Sequence, residues 1–218
     1  MKYFIVLLFI CFCSLISSAQ SKFNPHLKKQ LDSVMVLDQK YRDTLTLLMD
    51  PAKRDSMAKS LSMSVAKASS HYWTKQDIAD SLNVVFVEGV FKKYGYPGKT
   101  LVDTPTNEAA WYVIQHSHKI DQYMPLMKAA AEKGELPFRL YAMMLDRQLM
   151  NQNKEQIYGT QVTCRKFKNI KDECIVWPIK DPANVNERRK KAGFTQTVEQ
   201  NSQRLDVVYK VYRIEDVQ

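Results

Sequence analysis

The chain has 218 residues, with 32 lysines and arginines against 23 acidic residues and a formal net charge of +9. This length fits one domain, which can bury a sizeable core without metals or disulfides to stabilise it. Only one segment, at the start, is continuously apolar, which excludes a polytopic membrane protein.

The first 19 residues have the pattern of a cleavable signal peptide. Lys2 gives a short positive start, residues 3–16 are almost wholly apolar, and Ser17-Ser18-Ala19 supplies the small residues of a cleavage site. The apolar run is shorter than the roughly 20 residues that span a bilayer, although a retained anchor stays an alternative. The mature chain is therefore predicted to begin at Gln20, to be periplasmic or secreted, and to have no membrane span. Loss of Lys2 lowers the formal charge from +9 to +8.

The first half of the mature chain has the apolar spacing of amphipathic helices. Apolar residues recur every three or four positions over residues 24–49, which predicts one long helix, and residues 52–69 predict a second. Thr74 with Asp77 resembles a capping box and predicts the start of a third helix, which Gly95 should end. The inward face of this third helix is predicted to hold Ile78, Leu82, Val85, Phe86 and Val90.

Three more helices are predicted before residue 152. Thr104-Pro105 has the pattern of an N-cap and a first-turn proline, and the helix that it starts should continue to His116. Residues 121–133 predict the next helix, with Gly134 as its stop. Pro137 precedes another over residues 138–151.

The pattern changes to β in the last third of the chain. Residues 156–164 and 174–177 are rich in strand formers and predict a β-hairpin. A short basic helix ending at Lys191 and a last helix over residues 197–212 follow. The predicted fold class is mainly α: a helical bundle with a small β-hairpin near residues 156–178, in one domain over residues 20–218.

Cys164 and Cys174 are the two cysteines that remain after cleavage, and they flank a plausible turn at residues 169–172. Export places them in an oxidising compartment, so we expect a disulfide between neighbouring strands. Two free thiols are the alternative. No second Cys or His pair lies nearby at ligand spacing, so no metal site is predicted there.

Asp38 interrupts the apolar stripe of the first helix where a leucine is expected. A buried acid needs a cationic or hydrogen-bonding partner, and Arg42, one turn further on, is the candidate. We interpret Asp38 as a buried polar residue of a site, against the alternative of an ion pair with Arg42 on the helix surface.

His116 shares a helix face with Ala109 and Val113, and histidine is the side chain best suited to proton transfer near neutral pH. The alternative is a buried histidine held by one hydrogen bond, because no nucleophile is evident. His118 points about 200° away on a helix, so the two histidines are not predicted to form a metal site.

A second set of polar residues lies around the start of the hairpin. Asp146 and Arg147 come late in their helix, and Tyr158 and Gln161 belong to the segment 156–161, Gln-Ile-Tyr-Gly-Thr-Gln. These groups either fix the hairpin onto the bundle or bind a ligand. The sequence leaves both readings open.

Basic clusters at residues 165–171 and 188–191 raise the question of nucleic-acid binding. Outside the cytoplasm a solvated surface is the better interpretation, and no nucleic-acid partner is predicted. No phosphate-binding loop, dinucleotide fingerprint, zinc-protease or nucleophile-elbow pattern is present, so no cofactor is predicted.

Several short blocks together resemble a bacterial family of uncharacterised proteins, a domain of unknown function. The resemblance covers roughly residues 30–195, and its most specific parts are Gln115-His116 and the segment 156–161. It implies that the polar residues of these blocks belong to one arrangement, and it implies no activity. The chain departs from the family pattern at His116-Ser117-His118, at Asn153 and in its cysteine pair. The other blocks are Asp38-Gln39 with Arg42, Gly95–Gly98, Ala110-Trp111, Asp146-Arg147, Pro178–Pro182 and Asn186–Arg189 with Gly193.

The leading hypothesis is an exported domain that binds a small polar or anionic ligand in one polar cleft. An alternative is a hydrolase or lyase with His116 as general base, oriented by Asp38 or Asp146. A third is a structural or interaction protein of the cell envelope. The oligomeric state is not predicted. The residues expected to converge at the cleft are Asp38, Arg42, Gln115, His116, Asp146, Arg147, Tyr158 and Gln161.

Overall fold

The computed structural model describes residues 23–164, 167, 170 and 174–217. The predicted signal peptide and its cleavage site lie outside the described residues, as do all four basic residues of the segment 165–171.

The described chain is mainly helical and carries one two-stranded antiparallel sheet. The predicted fold class is therefore confirmed. Short 3-10 turns cover Thr106–Glu108, Pro182–Asn184 and Ile214–Asp216. The helices and strands are α1 Pro25–Gln39, α2 Arg42–Met49, α3 Arg54–Ser60, α4 Val65–Tyr94, α5 Lys99–Val102, α6 Ala109–Gln115, α7 Ile120–Glu132, α8 Phe138–Asn151, β1 Val162–Cys164, β2 Cys174–Val176, α9 Val185–Lys191 and α10 Val198–Arg204.

The main core lies between α4, α6, α7 and α8 and is centred on Trp111, Ile114, Met127, Leu140 and Met144. Helix α1 packs on α4 and α6, while α2 and α3 pack on α4. Burying large side chains such as these is the main favourable term in forming the bundle.

The C-terminal ends of α1, α6 and α8 lie at one end of this bundle. Asp38, near the end of α1, contacts His116, which directly follows α6. Helix α7 begins four residues after His116, and Asp121 in its first turn accepts a hydrogen bond from Gln148 of α8 at 2.6 Å. The last turn of α1 therefore meets the end of α6, and the last turn of α8 meets the start of α7.

The single helix predicted over residues 24–49 is wrong, because the chain turns at Lys40 and Tyr41 and begins a new helix at Arg42. The apolar stripe nevertheless continues through the turn, since Val34, Leu45 and Leu48 are all buried. Periodicity alone gives no sign of this break.

The predicted helix boundary at Thr74 is also wrong. Helix α3 ends at Ser60, and Ser64 caps α4 by accepting a hydrogen bond from the Lys67 amide. Thr74 lies inside α4 and donates its hydroxyl to the Ser70 carbonyl, a bond that leaves the helix intact. Gly95 ends α4 with a φ of 71°, as predicted.

The predicted inward face of this helix is wrong in part. Val90 is buried, but Ile78, Leu82 and Val85 are 58%, 67% and 69% exposed. The helix instead turns another line toward the bundle: the buried positions are Ala68, Gln76, Asn83, Val87, Val90 and Phe91.

Two of the next three helices match their predictions closely. Helix α8 has the predicted bounds and begins directly after Pro137, and α7 differs from its prediction by one residue at each end. After Pro105 the chain first forms a 3-10 turn, so α6 begins only at Ala109. His116 lies just beyond the last residue of α6.

The hairpin is shorter than predicted, with three residues in each strand. Val162 pairs with Val176 and Cys164 with Cys174, and the two cysteines form a disulfide, as predicted. Residues 157–160 form a bend and a loop rather than a strand. The last predicted helix is also too long, because α10 ends at Arg204 and the chain then turns away from helical geometry at Asp206 with a φ of 57°.

Candidate functional site

Asp38 and His116 form a buried carboxylate–imidazole pair. Asp38 is 0% exposed, and its two carboxylate oxygens lie 3.1 and 3.2 Å from His116 Nδ1. The imidazole Nε2 has no hydrogen-bond partner among the described residues, and the His116 side chain is 20% exposed. With a proton on Nδ1 shared with the carboxylate, Nε2 would be the free acceptor of the ring.

Two further groups hold the Asp38 side chain and backbone in place. Gln39 Nε2 donates to one carboxylate oxygen at 2.6 Å, and Gln76 Nε2 donates to the Asp38 carbonyl at 3.1 Å. Because hydrogen bonds fix it from several directions, the carboxylate can orient the imidazole without moving itself.

Arg42 reaches the site, but its strongest contacts are with Asp80 rather than with Asp38. Its Nη2 lies 2.7 Å from each Asp80 carboxylate oxygen, while its Nε lies 3.6 Å from Asp38. Gln76 also donates to Asp80 at 2.7 Å. Arg42 is thus an ion-paired member of a network between α1, α2 and α4.

Gln76 and Asp80 are site residues that were not predicted. A signal for them exists, because stepping back from the buried Val87 by four, three and four residues gives Asn83, Asp80 and Gln76. Polar residues on the core line of a helix are unusual enough to mark a site. The apolar residues Ile78, Leu82 and Val85 lie on the opposite, exposed face of α4.

Asp146 lies elsewhere and anchors the loop that begins the hairpin region. Its carboxylate is 0% exposed and accepts hydrogen bonds from the amides of Ile157, Tyr158 and Thr160, at 2.7 to 3.1 Å, and from the Thr160 hydroxyl at 2.9 Å. Burial raises the pKa of Asp146 above its usual value, and these donors act in the opposite direction. The arrangement orients a loop and leaves little of the carboxylate for a ligand.

The two glutamines of the segment 156–161 bond to the chain rather than outward. Gln156 Nε2 donates to the carbonyls of Gln161 and Trp177, and its Oε1 accepts from the Gln161 amide at 2.9 Å. Gln161 Nε2 donates to the Met143 carbonyl of α8 at 3.3 Å. These contacts fasten the loop to α8 and to Trp177, which directly follows β2.

The basic residues of α9 close the loop from its other side. Arg189, 2% exposed, donates to the Tyr158 carbonyl at 2.8 Å, and Arg188 donates to the Ile157 carbonyl at 3.1 Å. The Tyr158 ring lies 6.1 Å from that of Phe194. Two residues of the basic cluster at 188–191 therefore have structural contacts that the sequence analysis did not foresee.

Arg147 differs from the other arginines of the site because its guanidinium forms no hydrogen bond or ion pair with any described residue. Its Nε is fully enclosed without a hydrogen-bond partner, and burial lowers the pKa of Arg147. It lies seven residues after Leu140 and three after Met144, both buried, on the core-facing line of α8. Gln115 Oε1, at the end of α6, is likewise buried and unpaired in the described structure.

The predicted site residues thus fall into two groups. Direct contacts join the first group, which consists of Asp38, Arg42 and His116. The second group holds the loop 156–161 in place and consists of Asp146, Tyr158 and Gln161. None of the hydrogen bonds or ion pairs of the first group reaches the second within the described chain. Gln115 and Arg147 carry buried, unpaired polar atoms and lie toward the end of the bundle that holds His116.

Comparisons with known proteins give a family and no activity. A family described as "Family of unknown function (DUF6624)" matches residues 49–212. The chain belongs to this family. The match includes His116, Arg147 and the loop 156–161 but leaves out α1 with Asp38, so it begins and ends later than the expected 30–195. No curated protein and no solved structure matches the chain.

Among the described residues, no group of three or more His, Cys, Asp or Glu side chains has an arrangement that could hold a metal ion. None of the described helices combines the length and apolar character that crossing a membrane requires.

Proposed function

We propose that the protein is exported, periplasmic or secreted, and binds a small anionic ligand where α1, α6 and α8 end. The observation that carries the proposal is the half-buried guanidinium of Arg147, whose Nε is enclosed and which forms no hydrogen bond or ion pair with any described residue. A charge that is partly withdrawn from water and has no partner is unfavourable, and a carboxylate or phosphate group on a ligand would supply the missing partner. The disulfide between Cys164 and Cys174 supports an oxidising compartment.

Gln115 and His116 are the groups that would complete this site. The Gln115 amide oxygen is buried without a donor, so a ligand hydroxyl or amine could donate to it. His116 Nε2 offers a second acceptor, held in one orientation by Asp38. Arg147 would thus bind the anionic end of a ligand. Gln115 Oε1 and His116 Nε2 would accept hydrogen bonds from the donor groups of the same ligand.

Phosphate binding tests the proposal with a matched pair of variants. Arg147→Gln removes the unpaired cation, and Arg139→Gln removes a cation of the same helix that is paired with Glu108 at 3.0 Å. Inorganic phosphate and acetate, titrated separately, should raise the melting temperature of the wild type and of Arg139→Gln, because a ligand of the folded state stabilises it. At an anion concentration near the wild-type Kd, Arg147→Gln should lose about 85% of that increase, as expected for a roughly tenfold weaker Kd. Equal increases in all three proteins would contradict the proposal.

A second candidate function is general-base catalysis by His116, and the Asp38–His116 contact favours it. A carboxylate that fixes the imidazole tautomer and leaves Nε2 free is the arrangement of a base–orienter pair. Asp38 takes the orienting role in this candidate, since Asp146 bonds to the loop amides instead. Arg147 would then hold the anionic part of the substrate.

Turnover of p-nitrophenyl acetate and p-nitrophenyl phosphate tests this candidate. His116→Gln should lower kcat by about 100-fold or more. Asp38→Asn should lower it in the same direction while leaving KM nearly unchanged. The exposed His118→Gln is the control and should keep full activity. No turnover by the wild type, or unchanged turnover in His116→Gln, would overturn the catalytic role while leaving ligand binding by Arg147 to its own test.

A further inference from the structure

A groove lies beside the end of α4 and the second half of α7. It has a volume of about 580 Å³, which is within the range of small-molecule sites. Its lining is mainly apolar and includes Tyr94, Tyr96, Leu101, Leu126, Ala129 and Ala130. Helix α7 begins four residues after His116, whereas only residues from its second half reach the groove. The groove is therefore separate from the site around His116.

Gly98 and Glu135 fix one side of this groove. Glu135 accepts hydrogen bonds from the Thr100 amide at 2.8 Å and from the Thr100 hydroxyl at 2.6 Å. A Cβ atom at Gly98 would overlap the Glu135 side chain, so the absence of a side chain there lets the acid reach α5. These bonds hold α5 beside the end of α7, and the groove is thus already formed in the free protein.

Three exposed lysines surround the groove. Lys133 belongs to its lining, and Lys99 begins α5 between two lining residues. Lys93 Nζ lies 4.9 Å from the ring centroid of Tyr94, another lining residue. None of these ammonium groups forms an ion pair with a described residue. Among the described residues the lining holds one acid, Glu135, so apolar surface adjoins an excess of positive charge.

We propose that this groove binds an amphipathic monocarboxylate, such as a medium-chain fatty acid or an arylalkanoic acid. The apolar body of the ligand would cover Leu126 and Ala129, because removing apolar surface from water is favourable. Its carboxylate would lie toward Lys133, because unpaired positive charge attracts an anion. A wholly apolar ligand would leave the charge unused, and a small anion would leave the apolar lining in water. This site does not depend on the anion site proposed at Arg147.

Isothermal titration calorimetry with octanoate and with 3-phenylpropanoate tests the proposal. At least one of the two acids should bind with a negative heat-capacity change, which marks the burial of apolar surface. The tighter-binding acid shows whether the apolar body is an acyl chain or an aromatic ring. For the acyl chain, 1-octanol lacks the charge and should bind about threefold or more weakly than octanoate. Binding of neither acid would overturn the proposal.

Ala129→Trp tests whether the acid lies in this groove. Ala129 is exposed and lines the groove, so an indole there would fill the space without entering the core. It should weaken binding about tenfold or more, which is a change that calorimetry resolves. Ala66→Trp is the control, because Ala66 is also exposed but lies at the start of α4. Equal affinities in the two variants would contradict the assignment, as would a dimer in sedimentation that closes the groove with a second copy of the chain.

Lys133→Gln measures the contribution of charge. It should weaken binding of the tighter acid about threefold and reduce the effect of added salt. Lys128→Gln is the control, because Lys128 is already paired with Glu132 at 3.7 Å on the same helix. Arg147→Gln should keep the wild-type affinity for this acid, so the groove and the anion site are tested separately. Loss of binding in Arg147→Gln, with none in Ala129→Trp, would place the acid at the other site and overturn the proposal.

Discussion

Arg147 occupies a core-facing position of α8 at which an apolar side chain would avoid the loss of hydration. Replacing an unpaired, half-buried charge with an apolar residue of similar size removes the cost of its lost hydration. Arg147→Met should therefore raise the free energy of unfolding by about 1 kcal/mol in anion-free buffer, or roughly 2–4 °C in melting temperature. Urea denaturation and thermal melting measure the two quantities.

The sign of this effect separates a binding arginine from a structural one. A residue retained for a ligand commonly lowers the stability of the free protein, whereas a residue that stabilises the fold raises it. Arg139→Met should lower stability, because that guanidinium lies 3.0 Å from the carboxylate of the half-buried Glu108. A loss of stability in Arg147→Met would show that the guanidinium serves the fold.

Asp146 differs from Arg147, because the protein itself supplies hydrogen-bond donors to both oxygens of its carboxylate. We therefore expect Asp146 to stabilise the fold. Asp146→Asn would place an amide NH₂ against backbone N–H donors of Tyr158 or Thr160, which would then be buried without an acceptor. We expect a loss of about 3 kcal/mol in the free energy of unfolding. Asp121→Asn, on the exposed start of α7, should change it by less than about 0.5 kcal/mol in the same urea titrations. Equal effects would contradict the anchoring role.

At the level of elements, a small polar cluster ties α4 to α7. Glu88 accepts hydrogen bonds from Lys119 Nζ at 2.6 Å and from the Tyr123 hydroxyl at 2.7 Å. The bond from Lys119, followed by that from Tyr123, lowers the pKa of Glu88 below its usual value of 4.5. Burial, together with the bond to Glu88, raises the pKa of Tyr123 to about 12.

The two shifts predict the pH range over which this cluster stabilises the protein. The pKa of Glu88 is lowered on folding, so its contribution is complete above pH 4.5 and is lost as the pH falls through the lowered value. The pKa of Tyr123 is raised, so its contribution is complete below pH 10 and is lost as the pH rises to about 12. In urea titrations across pH, Glu88→Gln should flatten the acid side and Tyr123→Phe the alkaline side. The exposed Tyr94→Phe should change neither.

Elements were predictable from the sequence where one local signal decides their bounds. Pro137 marks the start of α8, and Gly95 marks the end of α4, because each residue has a backbone preference that its neighbours lack. The turn at Lys40 and Tyr41 was not predictable, since the apolar stripe runs through it unchanged. The exposed line of α4 was mistaken for its core face because a line that faces solvent and one that faces the core have the same period.

The site was less predictable than the fold because its parts come from distant segments. Asp38 could be singled out as an acid in an apolar stripe, but its contact with His116 depends on the parallel packing of α1 and α6. The prediction of one cleft assumes that the polar residues of the blocks shared with the family contact each other. Hydrogen bonding divides them instead, because the loop 156–161 uses Asp146, Arg188 and Arg189 to pair its own backbone.

At the scale of the whole molecule, we expect the disulfide to form only when the protein is exported. Protein released through its own N-terminal segment should begin at Gln20, by intact mass, and contain the Cys164–Cys174 bond. Residues 20–218 produced in a reducing cytosol should keep free thiols. The oxidised form should be more stable by roughly 2–3 kcal/mol, because the bond closes a loop of 10 residues, and should melt about 4–12 °C higher.

The variant with both cysteines replaced by serine separates the disulfide from other effects of compartment. Cys164→Ser with Cys174→Ser should melt at the same temperature from either source, and a thiol reductant should not change it. The reductant should lower the melting temperature of the exported wild type to that of the cytosolic form. An exported protein that retains residues 1–19 would contradict the cleavage prediction. Equal melting of the oxidised and reduced wild type would show that the bundle alone holds the hairpin, through the buried Ile175 and Trp177.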